Sequence, residues 1–295
     1  MRTYLDCFPC VLRQTLEAAR EATDDEAKQR ELLNRVMELL ISLRLEVSPP
    51  EIGQVVHRLI RERTGVRDPY AEKKRHYNER ATALLPRVRE LIENSEDPLR
   101  TAVRLAIAGN VIDFGVQSSG FNLEGEIERA LETPFGIDHY DRFVEDVRKA
   151  GTLVYLGDNA GEIAFDRLLV EVLQRLFPAE ITFVVRGEPV LNDATLEDAR
   201  AVGLTEVVRV VDNGSDAPAT VLSEVRPDVR RLIENADVVI AKGQGNYETL
   251  STAPLNIYFL FKVKCPVIGR DAGVDVGKYV LASALVLQEK KGGTA

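Results

Sequence analysis

What the chain has little of narrows it first. Among 295 residues there are three cysteines, Cys7, Cys10 and Cys265, an odd number that gives no disulfide framework. No apolar run reaches the roughly 18 to 20 residues of a membrane-spanning helix. The opening stretch from Met1 to Asp6 has none of the apolar character of a secretory leader. Basic charge is also short: 38 Lys and Arg against 47 Asp and Glu leave a formal net charge of −9. General nucleic-acid binding needs a basic surface to replace counterions and is disfavoured; a local basic pocket for a small phosphorylated ligand is not. Internal repeats and low-complexity tracts do not stand out. The expected location is the cytoplasm, with no membrane and no nucleic-acid partner, and the oligomeric state is left open.

Cys7-Phe8-Pro9-Cys10 has metal or redox spacing. A four-cysteine zinc site needs a second pair, and only Cys265 remains. A thioredoxin-like motif should follow a strand, whereas this one opens a helical stretch. A structural role is the preferred reading, with a disulfide or a metal as the alternative.

What is present is an ordinary globular composition, 45% hydrophobic and 29% charged, in a chain long enough for one large domain or two modest ones. Residues 1–150 read as helical. Helical apolar spacing runs through Cys10–Ala22 and Glu31–Leu45. Ser48-Pro49-Pro50-Glu51 is a capping-box start. Further helices are expected from about Ala71, with Pro86 kinking or interrupting it, over Pro98–Gly109, and within Gly125–Leu131 and Asp138–Lys149.

After Gly151 short apolar strands alternate with helices. Strands are expected at Thr152–Leu156, Ile181–Val185, Glu206–Val211, Val238–Ala241 and Pro266–Ile268. The alternation implies an α/β fold with a mostly parallel sheet covered on both faces. The expected division is a helical region over 1–150 and an α/β domain over 151–295. The tail from Lys290 is polar and expected to be disordered.

In such sheets ligands sit outside the carboxyl ends of the strands, and polar clusters follow four of the expected strands. They are Asp158, Asn159 and Glu162; Arg186 through Thr195, including Asn192 and Asp193; Asp212-Asn213-Gly214-Ser215; and Lys242 through Glu248, including Asn246. Any one of them resembles an ordinary loop. Together they suggest chemistry. Asp158, Asn159 and Asp193 offer three oxygen donors to a Mg²⁺- or Mn²⁺-type ion and leave positions for water and substrate. Lys242 and Arg186 offer positive charge to phosphate oxygens. Against this, Asp193 could cap a helix from Thr195, and Lys242 could be a solvated strand-end lysine. Gly243-Gln244-Gly245 lacks the third glycine and the acid of a dinucleotide fingerprint. In the helical half, Asn110 and Asp113 lie amid apolar residues three apart, either as a helix end or as part of the pocket wall.

The runs Gly157-Asp158-Asn159-Ala160-Gly161-Glu162, Arg186-Gly187-x-Pro189-x-x-Asn192-Asp193-Ala194-Thr195 and Lys242-Gly243-Gln244-Gly245-Asn246-Tyr247-Glu248 resemble the motifs of the DUF89, or ARMT1-like, family of metal-dependent damage-control phosphatases. Cys7-x-x-Cys10 and Ala108-Gly109-Asn110-x-x-Asp113-Phe114-Gly115 resemble its stand-alone prokaryotic branch. The similarity covers nearly the whole chain. It implies a helical region packed on a Rossmann-like, three-layer α/β/α domain, with Asp158, Asn159 and Asp193 as metal ligands and Lys242 as the substrate-phosphate lysine. Arg186, Asn246, Asn110, Asp113 and Glu162 are the expected further contacts to substrate. Asp158 or Glu162 is the candidate base, and Asp158 alternatively a nucleophile.

The resemblance implies hydrolysis of small phosphomonoesters such as sugar phosphates or phosphopantetheine-type compounds, with Mg²⁺, Mn²⁺, Co²⁺ or Ni²⁺. Two alternatives stand beside it. One is an S-adenosylmethionine-dependent carboxyl methyltransferase, the activity assigned to the eukaryotic branch. The other is a protein that binds a phosphometabolite without turning it over.

Overall fold

The computed structural model describes residues 1–109 and 123–292. The chain opens with α1 (Cys7–Ala22), α2 (Glu26–Ile41), α3 (Pro49–Thr64), α4 (Ala71–Glu93) and α5 (Pro98–Ala108). Asp25 accepts from the Ala27 and Lys28 N–H groups at the head of α2, and Ser48 forms the expected capping box with Glu51 at the head of α3. Both satisfy donors that a helix start leaves without partners. α4 runs unbroken through Pro86, where the sequence predicted a kink or interruption. One lost backbone bond costs less there than unpacking the flanking Leu85, Val88 and Ile92, all in the core.

Next come α6 (Leu123–Glu132), β1 (Phe135–Asp138), α7 (Tyr140–Lys149), β2 (Thr152–Leu156), α8 (Glu162–Leu176), β3 (Glu180–Val185), α9 (Leu196–Ala201) and β4 (Arg209–Asp212). The chain ends with α10 (Pro227–Glu234), β5 (Val238–Lys242), α11 (Gly243–Leu250), β6 (Ile257–Lys262), α12 (Pro266–Ala272), β7 (Tyr279–Ser283) and α13 (Ala284–Gly292). The strands form one mixed sheet in the order β1-β7-β6-β5-β2-β3-β4, parallel except for the β6–β7 pair. This is the expected α/β architecture, a helical region followed by a mostly parallel sheet flanked by helices.

Two corrections concern strands. Pro266–Ile268, expected as a strand, begins α12 instead: Cys265 is an extended N-cap and Pro266 takes the first helical position, where its missing N–H costs nothing. The expected strand at 206–211 starts later, at Arg209, after a 3-10 turn over Leu204–Glu206.

Alternate strand residues serve opposite faces, as the two-residue strand period requires. Leu153, Tyr155, Phe183, Val185 and Ile240 pack with α4, α5 and α8. Val154, Leu156, Val184, Val239 and Ala241 pack with α10 and α11. Burial on both faces explains why these strands read as unbroken apolar runs. A separate core joins α1, α2 and α3.

From β2 the chain winds outward through β3 and β4, then crosses back to β5 and β6 on the other side. The order of strands therefore reverses between β2 and β5, the point at which open α/β sheets leave a crevice for ligands.

Candidate active site

The loop after β3 folds back along the end of β2. Asn159 and Asp193 form an isolated antiparallel bridge. The Ala160 N–H donates to Asn192 O and the Ala194 N–H to Asp158 O, each at 2.8 Å, and the Arg186 N–H donates to Ala194 O at 2.9 Å. This backbone zipper brings Asp158, Asn159 and Asp193 together from two strand ends.

Asp193 is buried. Its Oδ2 accepts from Arg186 Nε at 2.6 Å and from the Ala219 N–H at 3.3 Å. Ala219 has φ +77°, a left-handed conformation costing a non-glycine residue about 1–3 kcal/mol, and so delivers its N–H to the carboxylate. Asp193 is not a helix cap: Thr195 caps α9 in a box closed by Asp198.

Asp158 is surrounded by protein on most sides yet keeps part of its surface open. Burial and the neighbouring Glu162 and Asp193 carboxylates push its pKa well above the usual carboxylate range, against the opposing pull of Arg186 and Lys264. Asn159 Nδ2 donates to Asp158 Oδ2 at 2.9 Å and to Glu162 Oε2 at 3.2 Å, so Oδ1 is its atom suited to a cation. Across the crevice, Gly243 has φ +81°, and a Cβ there would lie 2.0 Å from Asp158 Oδ2. Only glycine lets the start of α11 meet this carboxylate.

Lys242 and Arg186, expected to hold phosphate, are fully buried and turned toward protein. Lys242 Nζ donates to Ala106 O at 2.8 Å, Glu162 Oε1 at 2.6 Å and Asp166 Oδ1 at 2.5 Å, which uses all three donors of an ammonium. Burial works against its charge, but Asp166 and Glu162 outweigh that and raise its pKa. Asp166 also accepts from Tyr155 OH at 2.8 Å. Burial pushes its pKa up to about 7 despite Lys242. Arg186 reaches Thr220 Oγ1 and Gly157 O, each at 3.3 Å, as well as Asp193.

Asn246 is a staple between strand ends. Its Oδ1 accepts from the Thr220 N–H at 2.8 Å, and its Nδ2 donates to Lys242 O at 2.6 Å and Gly157 O at 3.3 Å. Asn213, in the cluster after β4, accepts from the Gly187 and Ser215 N–H groups and shapes the neighbouring loop. Asn110 and Asp113 lie outside the described residues. The three cysteines are free thiols.

One cation at the edge escaped the sequence reading. Lys264 is exposed and lies two residues beyond β6, which runs parallel to β5 and so ends on the same edge. Its N–H donates to Gln244 Oε1 in the first turn of α11 at 3.1 Å, and its charge lowers the Asp158 pKa. The signal was the apolar run Ile257–Phe261 followed by Lys262-Val263-Lys264, a fifth strand end with a basic cluster.

The helical half grips these loops from outside. Gln54 Nε2 and Arg58 Nε on α3 donate to Asp216 at 2.7 and 2.8 Å, and Arg61 also pairs with it. Burial opposes ionisation, yet these hydrogen bonds and charges hold the Asp216 pKa down at about 2. Arg61 further donates to Pro189 O at 3.1 Å.

Among the described residues no group of three or more His, Cys, Asp or Glu side chains is arranged to hold a metal. The available set is two carboxylates and one amide. All-oxygen donors fit a hard divalent cation, and an acid pushed upward by burial and two neighbouring carboxylates is a place where added positive charge is favourable.

The sequence model for the damage-control phosphatase ARMT1-like domain matches residues 3–280. The chain belongs to the ARMT1-like damage-control phosphatase family. A damage-control phosphatase from Archaeoglobus fulgidus is 37% identical over 281 residues, covering 93% of this chain and 96% of the relative. Another, from Pyrococcus horikoshii, is 33% identical over 282 residues, covering 95% and 97%. The crystal structure of a DUF89 family protein from Pyrococcus horikoshii superposes with a TM-score of 0.87 at 32% identity, covering 96% of this chain and 99% of that one. Phosphatase chemistry is thus established at the level of the family. Among the described residues no helix is long and apolar enough to cross a membrane.

Proposed function

We propose that this protein is a metal-dependent phosphatase acting on small phosphomonoesters at the crevice between β2 and β5. The observation that carries the reading is the meeting of Asp158, Asn159 and Asp193, from two strand ends, beside the glycine start of α11. A divalent cation held by these three would polarise a phosphoryl oxygen and orient water. The chain's own groups supply the rest. Lys264, exposed at the same edge, offsets charge on the equatorial phosphoryl oxygens. The first N–H groups of α11 add a favourable field for an anion.

Lys242 and Arg186 act one layer below. Lys242 neutralises Glu162 and Asp166, and Arg186 fixes Asp193 in place. Glu162 is buried and held by Lys242 and Asn159, and Asp158, which accepts from Asn159 yet keeps part of its surface open, takes the proton of the attacking water. In the reaction the water oxygen bonds to phosphorus as one of its protons passes to Asp158. The ester P–O bond breaks, and the departing oxygen takes a proton from solvent water and leaves as the alcohol.

A screen of phosphate release, crossing sugar phosphates and phosphopantetheine-type esters with Mg²⁺, Mn²⁺, Co²⁺ and Ni²⁺, tests the proposal. Turnover that chelator abolishes and metal restores is expected. Background release with every metal, together with S-adenosylmethionine binding in calorimetry, would favour the methyl-transfer reading instead.

A further inference from the structure

We infer that Asn78, from the helical half, is a positioning residue that sets the spacing of the two loops carrying the proposed metal ligands. The inference rests on the metal reading above. Asn78 lies on α4 and is 3% exposed. Its Oδ1 accepts from the Gly161 N–H at 2.7 Å, and its Nδ2 donates to Asp198 Oδ1 at 2.8 Å. These partners are 83 and 120 residues away in sequence. Gly161 comes two residues after Asn159. Asp198 closes the cap on Thr195, itself two residues after Asp193. One amide therefore joins the outer ends of both ligand loops.

Each contact answers a local need. Gly161 has φ +79°, and its N–H at the head of α8 has no helical acceptor. Asn78 supplies one from another element. Asp198 Oδ2 accepts from the Thr195 N–H and Oγ1, each at 2.8 Å. Lys74, one turn earlier on α4, reaches the same oxygen at 3.3 Å and Asp68 at 2.8 Å. Only one orientation of the Asn78 amide serves a donor on one side and a carboxylate on the other. The zipper between Asp158–Ala160 and Asn192–Ala194 fixes the loops near the ligands, and Asn78 fixes them at the far side. Two anchors per loop hold donor atoms more closely than one.

The test is calorimetric Mn²⁺ titration of the metal-stripped full chain. Asn78→Ala should weaken Mn²⁺ binding at least about tenfold, the scale seen when supporting partners of metal ligands are lost. Val88→Ala, a core truncation on the same helix, is the control for destabilisation alone, and its affinity should stay within about twofold of wild type. The exchange Asn78→Asp with Asp198→Asn restores an oxygen for Gly161 and a donor–acceptor pair between the two positions. It should bind Mn²⁺ more tightly than Asn78→Asp alone, and this comparison decides the matter if Asn78→Ala does not fold.

Unchanged affinity in Asn78→Ala, an equal loss in Val88→Ala, or no rescue by the exchange overturns the inference while the metal reading stands. Failure of the wild-type protein to bind Mn²⁺ overturns both.

Discussion

Two sets of ion pairs hold the loops at the carboxyl edge of the sheet, and they differ in everything but residue type. Beneath the edge, Lys242 meets Glu162 and Asp166, and Arg186 meets Asp193, with every side chain at most 4% exposed. On the outside, Arg58 and Arg61 meet Asp216, and Arg67 meets Glu188, where the last pair is 75% and 49% exposed. Water screens the exposed Arg67–Glu188 pair, so that contact is worth roughly 0–1 kcal/mol, while Asp216 is less open to water and is held more firmly. The inner set has no water to fall back on, so removing one partner leaves a buried charge and costs about 3–5 kcal/mol. The inner pairs fix geometry, while the outer pairs clasp the helical half onto the loops.

The contrast breaks most visibly at Lys242. Lys242→Met should lower unfolding free energy in urea by about 3–5 kcal/mol at neutral pH. A loss below about 1 kcal/mol would mean that the buried network does not brace the edge.

Asp166→Asn sharpens the comparison through pH. Asp166 titrates at about 7 in the fold, against an ordinary value of 3.8. Between these values the unfolded chain has released the proton and the folded chain still holds it, so stability falls as pH rises through that window and levels off above it. In metal-free protein, thermal melts of Asp166→Asn should therefore gain on wild type from about pH 4 to about pH 7. A difference that does not change with pH would contradict the assignment.

At the small end, Arg67→Ala should cost less than about 1 kcal/mol in the same urea experiment. A loss above about 2 kcal/mol would erase the distinction between the two sets.

The same division explains what the sequence disclosed. Local signals were legible: the capping box at Ser48, the apolar runs of β2, β3 and β5, and the Asp158–Asn159 and Asp193 clusters beyond them. Partners were not, because Lys242 finds Glu162 and Asp166 at separations of 80 and 76 residues. A hint lay in the spacing of those two acids, four apart at the start of α8 and so on one helix face. β6 was missed because a short apolar run cannot be told from a buried helix by periodicity, and Lys264 was missed with it. Asn78 gave no signal at all, since its importance lies in which distant loops it joins.

The central claim is that Asp158, Asn159 and Asp193 form a cation site that turns over phosphomonoesters. Its most direct test is phosphate release by Asp158→Asn at saturating Mn²⁺, on the best substrate of the wild-type protein. The substitution keeps the shape of the side chain and removes one ligand charge. The expected result is a rate at least about 100-fold lower, the scale of losing one preorganised electrostatic group, in protein that still folds. A rate within a few-fold of wild type would contradict the account.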